Sequence, residues 1–575
     1  MSTGRLAKWG LWVLVLLSLA LASVGCGPEK VVVTEIVEGQ VVEKIVTATP
    51  ASEEASPAPD TLVVLLPATP PGFDPDVWGG KFWEMALVNV YDSVMDYEMV
   101  SEEEIGIPKG TGIGGVAKVN GMGDEGIVGN FFESWEISPD GQTVTLHVRN
   151  GLKSYWGHQA TADDWLWRVQ RAFALKDVGQ FQLQVMGITG PEDVKKIDDM
   201  TIEMHTPRGP SPIFFKGLCV PVLFGVDIDE MKKEGLLTEE DPWGTEAFKK
   251  GDFGFGAYHV AEFVPGSHVK FVANPYYWKG EPTFKTVIMR EVPESSNRFA
   301  MVVNGEAHLT EELSLVQKNE LRAGLGEAVL LGLPDTNFML NIFAQRSTGP
   351  FAKKECFQAL GYAVPYEDIH RLAYMGFGRV MHEAIPRMFG PNVNLDALPY
   401  SYDPDKAAEL WKAGNCPSSF RLMYDAVIPE WEDIAILLRT EFAKFGVDVI
   451  LDKQAEGTVT ANLSKHDFDA VIEWSSAAFV ADVGYGAWLY WHKDSFANFQ
   501  AWYDDETSAK IDQSMLMLPG PERTALLHEV QVKLLAEGGK LPVLNTGWQI
   551  AANKHLHGFY WYSTQKIRWF DLTWE

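Results

Sequence analysis

Basic charge, cysteine and internal repetition are what this sequence has least of. Its 575 residues carry 48 Lys and Arg against 78 Asp and Glu, a formal net charge of −30. That balance repels a polyanion, which argues against nucleic acid as a partner; the excess charge reads as a solvated surface. Four cysteines (Cys26, Cys219, Cys356 and Cys416) are too few for a disulfide scaffold and show no CxxC metal spacing. No repeat of about 20–50 residues is visible. Gly-x-Ser-x-Gly, His-Glu-x-x-His and a catalytic cysteine context are all missing, so the familiar hydrolase signatures are absent. A glycosidase needs only two carboxylates and would leave no such signature. Hydrophobic content of 46% with 12% aromatics excludes general disorder. The length exceeds what one core supports, so several domains are expected.

The longest apolar run sits at the start. Arg5 and Lys8 precede Leu11–Ala22, the cationic-then-apolar order of an export signal. Trp9–Gly25 approaches the roughly 17 residues of a short spanning helix. Ser23-Val24-Gly25-Cys26-Gly27 decides for export, because a small residue before a cysteine here resembles a bacterial lipobox, with Ser23 in place of the usual leucine. Residues 1–25 are thus expected to be a lipoprotein signal peptide, with Cys26 acylated and residues 26–60 a flexible low-complexity tether. Acyl chains contributing about 0.8 kcal/mol per methylene would hold the chain at the membrane surface. With Cys26 modified, three cysteines remain, and the sequence leaves open which two pair.

Beyond the tether, strand-like and helical runs alternate. Thr61–Pro67 is a short apolar run stopped by proline. Asp140-Gly141 joins two alternating segments as a hairpin turn. Thr161-Ala-Asp-Asp164 has the form of a helix-opening capping box. Further strands are expected at Met200–His205, His268–Val272 and Thr286–Glu291. Helices are expected at Phe351–Tyr362, Asp405–Lys412, Glu430–Phe445, Thr507–Leu516 and Glu522–Glu537. This interleaving predicts an α/β fold with mixed sheets. Gly110-x-Gly112-x-x-Gly115 has the letters of a dinucleotide fingerprint but lacks the following helix, so it is read as a loop. His555-x-His557 has no third ligand in sequence, and capping explains Asp163-Asp164. No metal or cofactor is expected.

The folded region resembles the family 5 extracytoplasmic solute-binding proteins, the peptide, nickel and oligosaccharide class serving ABC importers. The likeness is carried by Ser134–Gly151 ending in Arg149-Asn-Gly151, then Trp156-Gly157 and Thr161–Asp164. Gly251–Tyr258, Asn274-Pro-Tyr-Tyr-Trp278 with Gly280, Arg298 with Asn304-Gly305-Glu306, Pro350–Ala363 and Tyr402–Ala407 follow in family order. The resemblance spans about residues 62–562. It implies a two-lobed periplasmic-binding-protein-like fold (type II, cluster C) with an inserted subdomain in the first lobe. The expected segments are 62–85, 184–328 and 541–575 for the main first lobe, 86–183 for the subdomain and 329–540 for the second lobe. It also implies a non-enzymatic function: capture of an oligopeptide, an oligosaccharide or a similar solute in an interlobe cleft for an ABC permease. The protein would be a monomer on the extracytoplasmic side of the cell membrane. An exported hydrolase or a sensory lipoprotein on the same scaffold is the competing class.

In peptide-binding relatives, an aspartate three residues after a second-lobe tryptophan holds the ligand amine. A buried ammonium needs such a carboxylate. After Trp474 that position holds Ala477, and Asp482 is the nearest substitute. Trp474, Ser475, Asp482, Tyr485 and Trp488 are therefore expected at the cleft from the second lobe, within an aromatic cluster that also includes Tyr490, Trp491 and Trp502. Phe73, Asp74 and Tyr91 are expected to approach from the first lobe.

Overall fold

In a computed structural model, the described residues are 30–37, 40–47, 59–76, 80–176, 178–207, 211–426, 428–476 and 480–575. The chain divides into Met1–Pro57 and Ala58–Glu575. In the first unit, Lys30–Val37 pairs antiparallel with Gln40–Thr47. These runs fall within the expected flexible tether (26–60), and both are rich in β-branched residues, which suit an extended ladder. The signal segment and Cys26 lie outside the described residues.

The second unit is built on two large sheets. The seven-stranded sheet runs Tyr258–Val264, His268–Ala273, Thr286–Glu291, Thr61–Leu66, Leu309–Thr310, Trp548–Asn553, Ala328–Leu333. Its central Thr61–Leu66 lies parallel to Thr286–Glu291, from Thr61 opposite Thr286 to Leu66 opposite Glu291. The six-stranded sheet runs Arg379–Val380, Lys540–Asn545, Phe338–Ala344, Ala470–Ser476, Ser419–Asp425, Asp448–Gln454. Alternation along Phe338–Ala344 feeds two cores. Leu340 and Ile342 belong to one core with Phe357, Leu360, Trp431 and Leu438, whereas Met339 and Phe343 belong to another that includes Tyr490, Trp491 and Leu534. Such a strand is buried on both sides and covered by helices, as a mixed sheet in an α/β protein requires.

A four-stranded antiparallel sheet carries the hairpin read from Asp140-Gly141. Phe132–Ile137 pairs with Thr143–Val148, which pairs with Thr201–His205 and then Val194–Asp198. The last two strands extend this subdomain beyond the expected end at Leu183, because they complete a sheet the hairpin cannot finish alone. The helix Ala162–Leu175 opens as its capping box predicts, with the Thr161 amide donating to Asp164 Oδ2 at 2.7 Å. Farther along, Arg168 and Arg171 pair with Asp74 and Asp76 in the interior, including Arg171 Nη2 to Asp74 Oδ2 at 2.6 Å. These pairs tie the segment after the first strand to the subdomain helix.

The two large sheets exchange chain twice. Ala328–Leu333 belongs to the seven-stranded sheet and Phe338–Ala344 to the six-stranded one, so the first crossing is 334–337. Lys540–Asn545 and Trp548–Asn553 place the return at Thr546-Gly547. Both fall a few residues beyond the boundaries expected at 328/329 and 540/541, because each strand completes its own ladder before the chain crosses. Asn545 clamps the crossings together: its Nδ2 donates to Thr336 O at 2.6 Å and its Oδ1 accepts from the Thr336 amide at 3.0 Å. Gly547 has φ +67°, and a Cβ there would meet Leu333 O at 2.5 Å, so only glycine fits the turn.

Cys356 and Cys416 form a disulfide spanning 60 residues, and Cys219 is a buried free thiol. The bridge ties the helix Lys354–Ala363 to the turn after Pro404–Ala413. A cross-link of this span stabilises by about 2–4 kcal/mol. Replacing both half-cystines by serine is expected to lower the melting temperature by several degrees; an unchanged melt would show that the bridge adds nothing to this lobe.

Candidate ligand-binding site

The stretch read as the ligand site runs from Ala470–Ser476 to the helix Val483–Trp491. Ala477 lies outside the described residues. Asp482 is the N-cap of that helix and accepts the Tyr485 amide at 3.1 Å. It is buried, not a surface-loop residue, and Arg523 Nη2 donates to its Oδ1 at 2.8 Å. Arg523 also donates Nε to Ser514 O at 2.8 Å. Burial opposes charge on Asp482, but Arg523, and more distantly Lys216, hold its carboxyl below the usual carboxylate range. A Cβ at Gly484 would lie 3.0 Å from Arg523 Nη2, so the small residue there leaves space for the guanidinium. Asp482 is therefore paired with an internal cation.

The facing wall comes from the first lobe and was not read from sequence. Lys216, on the short helix Phe214–Leu218, donates Nζ to Val119 O at 2.9 Å and to Ala481 O at 2.6 Å. The second bond crosses between lobes next to Asp482. Burial pushes the Lys216 ammonium down to about 8, with Asp482 pulling the other way. Asn120, Lys216, Phe389, Asn392, Asp482 and Arg523 line one small cavity at this seam. The sequence signal was a lone lysine inside the apolar run Ile213-Phe-Phe-Lys-Gly-Leu-Cys-Val220.

A second interlobe contact is aromatic. Phe181 lies 5.9 Å from Trp488 and 5.5 Å from Phe496, and Trp488 stacks on His492 at 5.3 Å. Trp474 is 40% exposed, edge-on to Trp431 at 5.3 Å and Phe338 at 6.1 Å. Beside it Ser475 accepts from Asn341 Nδ2 at 2.8 Å. Burial pushes the Glu473 carboxyl up to about 8, and Asp425 and Glu456 push the same way.

Three of the expected site residues are buried in packing. Phe73 is fully buried against Phe263 and Phe271. Tyr91 is buried, stacked on Phe224 at 5.3 Å with its hydroxyl donating to Phe73 O. Tyr485 is buried on the inner face of its helix. Aromatic side chains carry a large hydrophobic contribution, and core packing claimed these three. Asp74 is held by Arg171.

Two sheet-based lobes, two crossings and polar groups facing each other across the seam define a two-lobed binding protein. Residues 126–498 match the bacterial extracellular solute-binding proteins, family 5, and the chain belongs to that family. The probable D,D-dipeptide-binding periplasmic protein of Escherichia coli strain K12 is 23% identical over 450 residues, 76% of this chain and 83% of that protein. The dipeptide-binding protein of the same organism is 24% identical over 418 residues, covering 68% and 71%. A Helicobacter pylori periplasmic binding protein solved with the peptide STSA has the same fold, with a TM-score of 0.73 and 21% identity over 90% of this chain and 98% of that one. These relatives bind solutes and are not enzymes, and the family is extracytoplasmic. Among the described residues no helix is long and apolar enough to cross a membrane.

The buried Asp482–Arg523 pair carries a specific expectation. Arg523→Met leaves a buried carboxylate unpaired, at a cost of about 3–5 kcal/mol near neutral pH. In the intact pair the Asp482 carboxyl is depressed, so its contribution is present above about pH 4 and is lost as pH falls through the folded value. Thermal melts should thus show a gap between variant and parent that is wide at pH 7 and narrow near pH 3. A gap independent of pH would contradict the assignment.

Proposed function

We propose that this chain is the extracytoplasmic substrate-binding component of an ABC importer, tethered to the cell membrane by a lipid on Cys26. It captures an oligopeptide or similar small solute between its lobes and presents the closed form to the permease. The observation that carries this reading is the seam itself. Two bodies joined by a clamped double crossing place Lys216 on one wall and Asp482 with Arg523 on the other. The lobes divide at 334–337 and 546–547, and the monomer suffices for the site. Two of the relatives are named for dipeptides, which supports a peptide ligand.

A second reading, an oligosaccharide, is favoured by the engagement of Asp482 with Arg523 and by the exposed ring of Trp474, a surface on which sugar C–H faces stack. Thermal-shift screening against peptide and oligosaccharide libraries separates the two. A solute at a hundredfold excess over its Kd stabilises the chain by about 2.7 kcal/mol. Trp474→Ala is expected to weaken binding of the responding solute at least tenfold; unchanged binding would remove Trp474 from the site. Cleavage of a chromogenic glycoside, with no solute shifting the melt, would favour a hydrolase.

A further inference from the structure

The seam contains an imbalance that neither lobe shows alone. Lys216 is buried, and among the described residues its ammonium is bonded to two backbone carbonyls, Val119 O and Ala481 O. No carboxylate among the described residues lies within ion-pairing distance of it. The nearest acid in the cavity, Asp482, is already committed to Arg523 at 2.8 Å and to the Tyr485 amide. Around one cavity there are thus two cations and one anion. A buried charge without a counter-ion is costly, and one that faces a cavity between lobes points to a functional site.

We infer that the interlobe cavity beside Lys216 is an anion subsite that takes a carboxylate group of the transported solute. This rests on the solute-binding reading above and deepens it. Lys216 and Arg523 face the cavity from opposite lobes, so an acid held between them favours closure from both sides. The amides of Asn120 and Asn392 on the same walls offer neutral donors to the second carboxylate oxygen. The Lys216–Ala481 bond sets the register of the lobes so that the cavity is lined from both. This arrangement also gives a reason for the engaged Asp482: the seam is built for the acidic end of a solute, with Asp482 orienting Arg523.

The groups that bear on Lys216 are Asp482 and Arg523 from the second lobe, Cys219 on its own side and Glu125 from the loop beyond Asn120. With its ammonium near 8 in the free chain, an acid bound above that pH requires a proton to be taken up. Affinity for the acid should then fall by about tenfold per pH unit above pH 8.

The test uses the full chain in detergent and a panel of di- to tetrapeptides and acidic sugars, each paired with its neutral derivative (C-terminal amide or methyl ester). Binding is read by thermal shift. The solutes that bind are expected to be acids, at least tenfold tighter than their neutral partners; peptides and acidic sugars are separate arms, so the source of the carboxylate is identified. Lys216→Gln, which keeps a hydrogen bond to a carbonyl, should fold and bind acid and neutral forms alike. Lys216→Arg should restore the preference. Equal binding of the neutral forms, or a tenfold preference kept by Lys216→Gln, overturns the subsite. Binding of neutral sugars or amides alone overturns it while leaving solute binding intact, whereas a chain that binds nothing in either series removes both.

Discussion

The paired crossing at 334–337 and Thr546-Gly547 is the constraint on which the rest depends. The strands of the seven-stranded sheet come before it on the first pass or after the return, and those of the six-stranded sheet all lie between. Asn545 joins the two crossings through both of its amide atoms to Thr336, so they act as one short ribbon. Gly547 lets that ribbon turn where a side chain would strike Leu333 O. A ribbon of this kind resists shear but tolerates small changes in φ and ψ at few residues, which is how hinged lobes move as bodies.

Given such a hinge, the chemistry across the seam decides which state prevails. Contacts between lobes include Lys216 to Ala481 O, Phe181 to Trp488 and Phe496, the Leu315 amide to Glu430 Oε1, and Arg322 over the Phe377 ring. The charged groups of the seam are largely withdrawn from water, where an electrostatic partner counts for more than it would at a surface. Closure and recognition therefore draw on the same residues. Within the seam, Asp482 is engaged by Arg523 rather than standing alone.

How much was legible in sequence follows the range of the interactions. The hairpin around Asp140-Gly141 and the capping box at Thr161–Asp164 are local, and both appear as read. Thr286–Glu291 was found to the residue because its alternation marks a half-buried strand. The lobe boundaries slipped because ladder membership depends on partners hundreds of residues away. Phe73, Tyr91 and Tyr485 are buried, and an aromatic in a core and one in a cleft look alike in sequence. Lys216 was overlooked for the opposite reason: its partners, Val119 O and Ala481 O, are backbone atoms that no side-chain pattern encodes. The pairing of Cys356 with Cys416 likewise needed the two helices to be brought together.

The central claim is that solute is enclosed by lobes closing about this double crossing. The most direct measurement is the distance between spin labels at the exposed positions Lys176 and Lys493, one on each lobe, with and without a solute that raises the melting temperature. The account predicts a broad distribution in the free chain that shortens and narrows when the solute is bound. The same distribution in both states would contradict it.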